Sequence, residues 1–410
     1  MRHRTKWTIG LVALAAALGL GLGWWRWGEA SYLRLLLESP SAGRCDKRLN
    51  RALLGASLSL GTRFVLAHQK PDGNFDYEYD WREKQFAESD QETRQAGALW
   101  GLTLLYQDAP SPQLKAGIER GLAYFDRHSR LAGGVRCTTY PGSSAGKTGT
   151  VALVALSYIE YLRAAPALPS EQQEPLYARL AEYLEYLRQS VRRDGLWYGD
   201  YDVRSCKPSG DASSYSDGEA LLALVKAAKY LDQKPLLPLI RRTADAGKRL
   251  NIERALNQDG DSDVTKGYYQ WSSMAFYELA TSDFPEVGVY GSTLLGLADW
   301  MIDVHKVLTR SRNTGYAFEG LTHAYAWAKQ RGDSARQAKY GCVIDIGLER
   351  LLRWQVGGPL GARYTSAAAP DDDQALGGVQ NEVRDPALRI DVTQHQLHAT
   401  LLARRYVYDP

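Results

Sequence analysis

The sequence predicts an all-α domain, an (α/α)₆ toroid of six outer/inner helix pairs, preceded by one transmembrane signal-anchor helix. Three observations lead there. Helical periodicity recurs through the body with breaks every ~20–30 residues, and no strand-type alternation persists after residue 45. Successive segments alternate in kind, one charged along a side and the next apolar nearly all round. The N-terminus joins a basic pentapeptide to an apolar run of membrane-spanning length.

The N-terminal elements come first. Arg2-His3-Arg4-Thr5-Lys6 precedes an apolar run through residues 7–25, and Trp24, Trp25 and Trp27 follow as an aromatic belt. Roughly 18–20 apolar residues span the hydrocarbon core of a bilayer. The positive flank keeps the N-terminus in the cytoplasm. The expected layout is residues 1–30 as cytoplasmic tip and anchor, 31–46 as linker and 47–410 as the toroid. The expected location is an inner membrane, single-pass, with the main domain in the periplasm. A cleaved signal peptide is the alternative; the run is long for one, and Ala30 offers only a weak cleavage site. Outside the cytoplasm, Cys45, Cys137, Cys206 and Cys342 are free to pair. Of the three connectivities, Cys137–Cys206 is favoured, because both fall in loops expected at the same end of the fold. Free buried cysteines are the alternative.

The helix pairs follow in order. Residues 47–69 pair with 91–107, 111–128 with 148–163, and 171–193 with 215–231. Residues 235–256 pair with 266–281, 287–309 with 314–331, and 334–355 with 389–405. A fixed period of about 60 residues marks a repeat architecture. First helices carry a solvated stripe, as in Arg179, Glu182, Glu185 and Arg188. Second helices, such as Thr148–Leu156 and Gly218–Leu224, are small and apolar all round, so they are buried. Charged outer helices around apolar inner ones describe a closed ring. An open solenoid uses the same pairs without needing such uniform burial.

Three first helices end in a related phrase: Gln69–Phe75 (Gln-Lys-Pro-Asp-Gly-Asn-Phe), Arg193–Trp197 (Arg-Asp-Gly-Leu-Trp) and Gln355–Gly361. Asp-Gly and Gly-Gly are helix-stop and turn chemistry. These endings resemble the Gln/Trp repeat of triterpene cyclases and prenyltransferase-type toroids. They also resemble the helix ends of (α/α)₆ glycosidases, lyases and sugar epimerases. The resemblance implies the architecture over most of the body and says little of the chemistry.

In such a ring every outer-to-inner loop lies at one end, with the inner helix N-termini, whose dipoles favour anions. Candidate residues cluster there. Glu92 and Arg94 open the first inner helix. Tyr215, Asp217 and Glu219 open the third; a carboxylate inside the first turn of a buried helix is costly without a role. Tyr268, Tyr269 and Trp271 form an aromatic wall. Tyr316, Glu319 and His323 lie on the fifth, with Glu319 and His323 four residues apart and so on one face. Arg389, Asp391, Gln394, His395 and His398 crowd the last. The acidic turn Asp259–Asp263 lacks the rest of a calcium loop and is read as a turn.

The expected catalytic groups are Glu92, Glu219, Glu319 and His395. Arg94, Tyr215, Asp217, Tyr268, Tyr269, Trp271, Tyr316, His323, Arg389, Asp391 and Gln394 are expected to bind substrate. No metal or other cofactor is expected. Charge is nearly balanced, with 50 basic and 47 acidic residues and no sustained basic stripe, which argues against nucleic acid. The aromatics are 25 Tyr and 11 Trp against 7 Phe, a bias suited to wet, sugar-stacking surfaces. Gly142–Thr148 falls one residue short of a phosphate loop and follows no strand. Asp371-Asp372-Asp373 sits in a loop and is not the acid motif of a terpene cyclase.

These features favour an extracytoplasmic enzyme on an envelope or extracellular polysaccharide or oligosaccharide, most simply a glycoside hydrolase with two of the three glutamates paired across the cavity. A uronate epimerase or lyase, using Tyr or His as base, is the alternative. So is a non-catalytic polysaccharide-binding or assembly module.

Overall fold

Twelve principal helices alternate between two concentric layers in the computed structural model, which describes residues 45–164, 169–361 and 372–408. The expected anchor, residues 7–25, lies outside the described residues. Among the described residues no helix is long and apolar enough to cross a membrane.

The outer helices are α1 (Arg51–Ala67), α3 (Pro112–Arg127), α5 (Ser170–Gln189), α7 (Leu237–Gly247), α9 (Gly288–Asp303) and α11 (Ser334–Leu352). The inner ones are α2 (Glu92–Asp108), α4 (Thr148–Ala164), α6 (Ser214–Tyr230), α8 (Asp263–Ala280), α10 (Gly315–Arg331) and α12 (Ile390–Tyr406). All twelve fall where the periodicity places them. α7 departs from a plain helix. It runs on through a π-helical stretch, Lys248–Arg254, and a last turn, Ala255–Gln258.

Each inner helix packs on the next, α2 on α4, α4 on α6, α6 on α8, α8 on α10 and α10 on α12, and α12 returns to α2. That last contact closes the ring and separates the toroid from an open solenoid. The inner layer is dry. Every residue of α4 from Thr148 to Leu162 is buried, and each fully buried Val or Leu contributes about 1.5–3 kcal/mol.

The repeated loop phrase has a physical purpose. Each outer helix end bridges back to the chain leaving it: Gln69 to Phe75, Val191 to Trp197 and Gln355 to Val379. The Asp of the phrase closes an Asx turn, Asp72 Oδ1 accepting the Asn74 N–H at 3.0 Å and Asp194 Oδ1 the Leu196 N–H at 3.1 Å. The fourth residue of the following inner helix then holds the bridge. Gln95 donates to and accepts from the Phe75 backbone, Asp217 accepts the Trp197 N–H at 2.8 Å, and Thr393 accepts the Val379 N–H at 3.1 Å. One device repeats with three different side chains.

The loops also contain strands that the sequence does not announce, none longer than four residues: β1 (Glu78–Asp80), β2 (Gln85–Phe86), β3 (Ser129–Ala132), β4 (Val135–Thr138), β5 (Ala145–Lys147), β6 (Asp200–Asp202), β7 (Pro208–Ser209) and β8 (Ala387–Arg389). Segments this short carry no readable alternation. They tie the rim. The sheet β2-β1-β8 joins the first loop to the last, and β5-β6-β7 joins the second to the third. The Cys137–Cys206 disulfide, with Cα atoms 5.6 Å apart, adds a covalent link at this end. No described cysteine is free.

Gly73 shows how tightly outer helices seat on these loops. Its φ is +101°, and a Cβ there would lie 2.1 Å from the Arg120 carbonyl oxygen of α3. Gly73→Ala is expected to lower unfolding stability by about 2–4 kcal/mol, from left-handed strain plus overpacking. Gly296→Ala, on the exposed face of α9 with nothing within 4 Å, should raise it by about 0.5–1 kcal/mol. Denaturant melts of the two variants check this; a neutral Gly73→Ala contradicts the packing described.

Candidate active site

A cavity of about 900 Å³ opens at the end where the inner helix N-termini and the rim strands meet. Its walls come from all six inner helices or the loops leading into them. The first turns of the inner helices and the loops leading into them supply the lining about equally, because deeper side chains are sealed between neighbouring helices.

His395 (α12) and Glu219 (α6) are the titratable groups of the cavity wall nearest the helix interiors. His395 Nδ1 lies 3.0 Å from Glu319 Oε1 on α10. Glu319 is 0% exposed. Its Oε2 accepts from the Gln270 side-chain amide, and His398 Nδ1 lies 3.5 Å from its Oε1. Burial works against its charge, but His398 and His395 outweigh that and hold the carboxyl down at about 2. The same contact acts in reverse on His395. Burial disfavours the imidazolium, and the Glu319 carboxylate more than offsets it, so the pKa rises above the usual value. Gln270 Nε2 is also 3.0 Å from His395 Nδ1. Of the two neighbours the carboxylate is the acceptor, so Nδ1–H is assigned to Glu319 and Nε2 is left for the cavity.

Glu219 has the opposite environment. Its buried Oε2 has no hydrogen-bond partner, and it rests where a Cβ on Gly149 of α4 would come within 2.1 Å. Burial, with a smaller push from Asp217 and a counter-pull from His395, raises its pKa to about 8. It is a protonated carboxyl at neutral pH.

Asp391, one turn before His395 on α12, stays ionised. Burial is outweighed by Arg389, which grips it with two N–H groups, and by Arg94, whose Nε is 3.3 Å from Oδ2. β8 places Arg389 by pairing with β1, with Glu78 opposite Arg389 in register. Tyr215, 53% exposed, stands on the wall with Trp271, Tyr316 and Gln394.

Six of the expected site residues lie elsewhere. Glu92 is buried outside the cavity lining, in the α2–α4 seam beside Thr150 and Lys147; burial raises it to about 7 against their pull. Glu319 sits behind the wall rather than on it. Asp217 is used by the loop, accepting Trp197 N–H and the Asn251 amide, each at 2.8 Å; burial outweighs those two bonds and lifts it to about 7. Tyr268 packs its hydroxyl against Gly247, and Tyr269 gives its own to the Ala317 carbonyl at 3.3 Å. His323 does not pair with the Glu319 carboxylate. Its Nδ1 contacts the Glu319 backbone carbonyl at 2.7 Å, and burial lowers it to about 4. It faces a second, smaller cavity between the C-terminal ends of the inner helices.

Three residues here escaped the sequence. Gln270 was only part of an aromatic run. His305, on the loop before α10, lines the cavity, stacks on Trp300 and sets Nδ1 2.6 Å from Asp261 of the acidic turn. A neighbouring Arg310, 2.7 Å from the other Asp261 oxygen, completes the set. Among the described residues no group of three or more His, Cys, Asp or Glu is arranged to hold a metal.

No protein-family model matches this sequence, and no curated protein matches it. Solved structures do resemble it. A sugar epimerase from a ruminal bacterium aligns at TM-score 0.58 and 10% identity, over 86% of this chain and 98% of that one. An α-1,6-mannanase of the GH76 class from Salegentibacter aligns at 0.58 and 10%, over 86% and 99%. Cellobiose 2-epimerase from Spirochaeta thermophila aligns at 0.57 and 13%, over 85% and 96%. At these identities the likeness is one of fold, and it places the chain among (α/α)₆ toroids.

The raised carboxyls have a consequence for stability. Glu219, Asp217 and Glu92 hold protons in the folded state to about 8, 7 and 7, against ordinary values of 4.5, 3.8 and 4.5. Between about pH 4 and 8 the unfolded chain therefore binds fewer protons at these sites, and stability falls as pH rises. Thermal melts should show a falling midpoint from pH 5 to 8. Glu219→Gln should remove part of that fall, with a gain on the order of 2 kcal/mol at pH 8 and little change at pH 4. An identical pH slope in parent and variant contradicts a protonated Glu219.

Proposed function

We propose that this chain is a carbohydrate-active enzyme that moves a proton on a sugar, in the manner of an epimerase or isomerase, with His395 as base and Glu219 as acid. The observation that carries it is His395 Nδ1 at 3.0 Å from the buried, ionised Glu319, with the rest of the ring at the cavity. Glu319 fixes the tautomer and stabilises the imidazolium that forms when Nε2 takes a proton. Glu219, protonated at neutral pH, supplies a proton to the oxygen that gains charge. Tyr215 and Trp271 offer ring faces to the sugar, and Gln394 and Tyr316 offer hydrogen bonds to its hydroxyls. The epimerases and the mannanase among the structural neighbours support a sugar substrate.

The glycoside hydrolase reading expects two carboxylates facing one cavity. Of Glu92, Glu219 and Glu319, only Glu219 lines it. Asp391, an ionised carboxylate on the inner-helix lining beside the protonated Glu219, keeps that reading as the alternative, with Glu219 as acid. Its oxygens, however, are taken by two arginines, which makes it a weak base. One mannanase neighbour is described as an inactive variant changed at two consecutive aspartates, solved with α-1,6-mannotetraose. Among the described residues, this cavity's lining contains no two consecutive acids.

We further propose that residues 7–25 anchor the enzyme in an inner membrane with the toroid on the periplasmic side. The basic pentapeptide and apolar run support this, and the Cys137–Cys206 disulfide fits an oxidising compartment. The full chain should stay with membranes through an alkaline carbonate wash and be digested by protease added to spheroplasts. Release into the wash, or protection from protease, contradicts this placement.

The reaction is tested by offering mono- and oligosaccharides to the purified chain in deuterated water. Deuterium should enter at a sugar carbon without release of reducing ends. His395→Asn and Glu219→Gln should each lower that rate by about 10²–10⁴-fold. New reducing ends without exchange would replace this reading with the hydrolase. Binding without any turnover would replace it with a non-catalytic module.

A further inference from the structure

We infer that the sugar bound in this cavity carries a carboxylate, and that Arg94 and Arg389 receive it. The inference rests on the proposed sugar-active reading and names the substrate class of the same site.

The cations of the cavity lining fall into two groups. Lys147 has Asp200 at 2.6 Å, Lys266 has Asp263 at 3.8 Å, Arg310 has Asp261 at 2.7 Å and Arg312 has Glu382 at 2.9 Å. Each of these has an acid of its own. Arg94 and Arg389 instead share one, Asp391. Glu78, opposite Arg389 in the β1–β8 register, is a second acid whose charge acts on both arginines. It lies outside the cavity lining and makes no ion pair with either arginine. Within ion-pair distance the two guanidiniums thus share one carboxylate, with Glu78 acting from farther off, and a second close anion would be stabilising there.

The geometry leaves donors for that counter-ion. Arg389 spends Nε and Nη2 on Asp391, and Arg94 spends Nε on Asp391 and Nη1 on the Tyr77 hydroxyl. Arg389 Nη1 and Arg94 Nη2 make no hydrogen bond or ion pair with a described residue. Both guanidiniums lie against the Tyr77 ring, with Cζ at 5.7 and 5.5 Å from its centre, which fixes their planes. Arg94 keeps 42% of its side chain exposed. Two oriented guanidiniums match the two oxygens of a carboxylate. Asp391 precedes His395 by four residues on α12, so the carboxylate that gathers the two arginines and the proposed base lie on one side of that helix and line the same cavity. A uronosyl unit bonds its carboxylate to a carbon that bears a removable proton, so a carboxylate held by the arginines would bring that carbon into the cavity that His395 faces.

The test is equilibrium binding to the full-length chain in detergent. The probes are a trigalacturonate, a glucuronate-containing trisaccharide, the neutral trisaccharide maltotriose and glucose 6-phosphate. At low salt one of the uronates should bind about tenfold or more tightly than maltotriose, with the gap narrowing as salt rises. Arg94→Gln should abolish the gap, Arg94→Lys should keep part of it, and Arg188→Gln, on the outer helix α5, should leave it whole. Far-ultraviolet circular dichroism confirms that each variant is folded. Equal binding of maltotriose and the uronates, or a gap that survives Arg94→Gln, overturns the inference; deuterium exchange into a neutral sugar would then leave the proposed reaction standing. Tighter binding of glucose 6-phosphate than of both uronates overturns the carboxylate assignment. If no sugar of either kind binds the folded protein, both the inference and the proposed reaction fall.

Discussion

An inner helix packed on all sides by other helices has nowhere inexpensive to put a polar side chain except its ends. The rest of this structure follows from that constraint. The small and apolar runs of α4 and α6 occupy the middle of the ring. The first two turns of the inner helices open into the cavity, and so carry Arg94, Glu219 and Asp391. The last turns carry a second charged layer. There Lys226 bridges Glu160 and Glu278, with Glu278 Oε1 at 3.1 Å, and Lys229 meets Glu278 at 2.8 Å. Such a network is costly in desolvation and is tolerated because every charge has a partner. It also offsets the negative ends of the converging helix dipoles.

Glu319 breaks the pattern, since it lies no deeper in its helix than Glu219 yet is sealed behind the cavity wall, and its surroundings show what the exception requires. Three side chains from two other helices converge on it: Gln270 of α8 and His395 and His398 of α12. None is a neighbour in sequence. A carboxylate at 0% exposure survives as an anion only because those donors replace its water. This explains why helical spacing alone does not find the histidines that Glu319 meets. Spacing along one helix brings His323 to the same face, but a ring of six helices brings His395 and His398 closer.

The architecture was legible because it rests on local signals. Helical period, charged stripes and the Asp-Gly endings are properties of single segments, and the twelve helices lie where those signals put them. Which side of an inner helix faces the cavity is not a local property. Glu92 and Glu219 both sit in or near a first turn, yet Glu92 turns into the α2–α4 seam and Glu219 stays on the wall. The difference lies on neighbouring helices. Thr150 and Lys147 receive Glu92, whereas opposite Glu219 α4 offers Gly149, which leaves room for a carboxyl and gives it no partner. Asp217 misleads for a related reason. It performs the loop-holding task that Gln95 and Thr393 perform elsewhere, and only the three bonds seen together show that its charge is incidental to the position.

Glu219 and Glu319 are the same side chain at similar burial with opposite titration, and the contrast shows how the ring prepares two protonation states within one cavity. Desolvation pushes both carboxyls upward. At Glu319 two histidines and an amide reverse that push; at Glu219 a bare glycine face does not. A buried carboxyl left without donors keeps its proton, and one surrounded by them gives it up and raises the histidine it holds. The protonated acid and the imidazole base of the proposed reaction are thus set by which helix each carboxyl happens to face, with no metal needed to create the difference. Exchanging the two surroundings would exchange the two roles, which ties the chemistry to the packing of α4, α8 and α12 around the ring rather than to the presence of glutamate in a first or second turn.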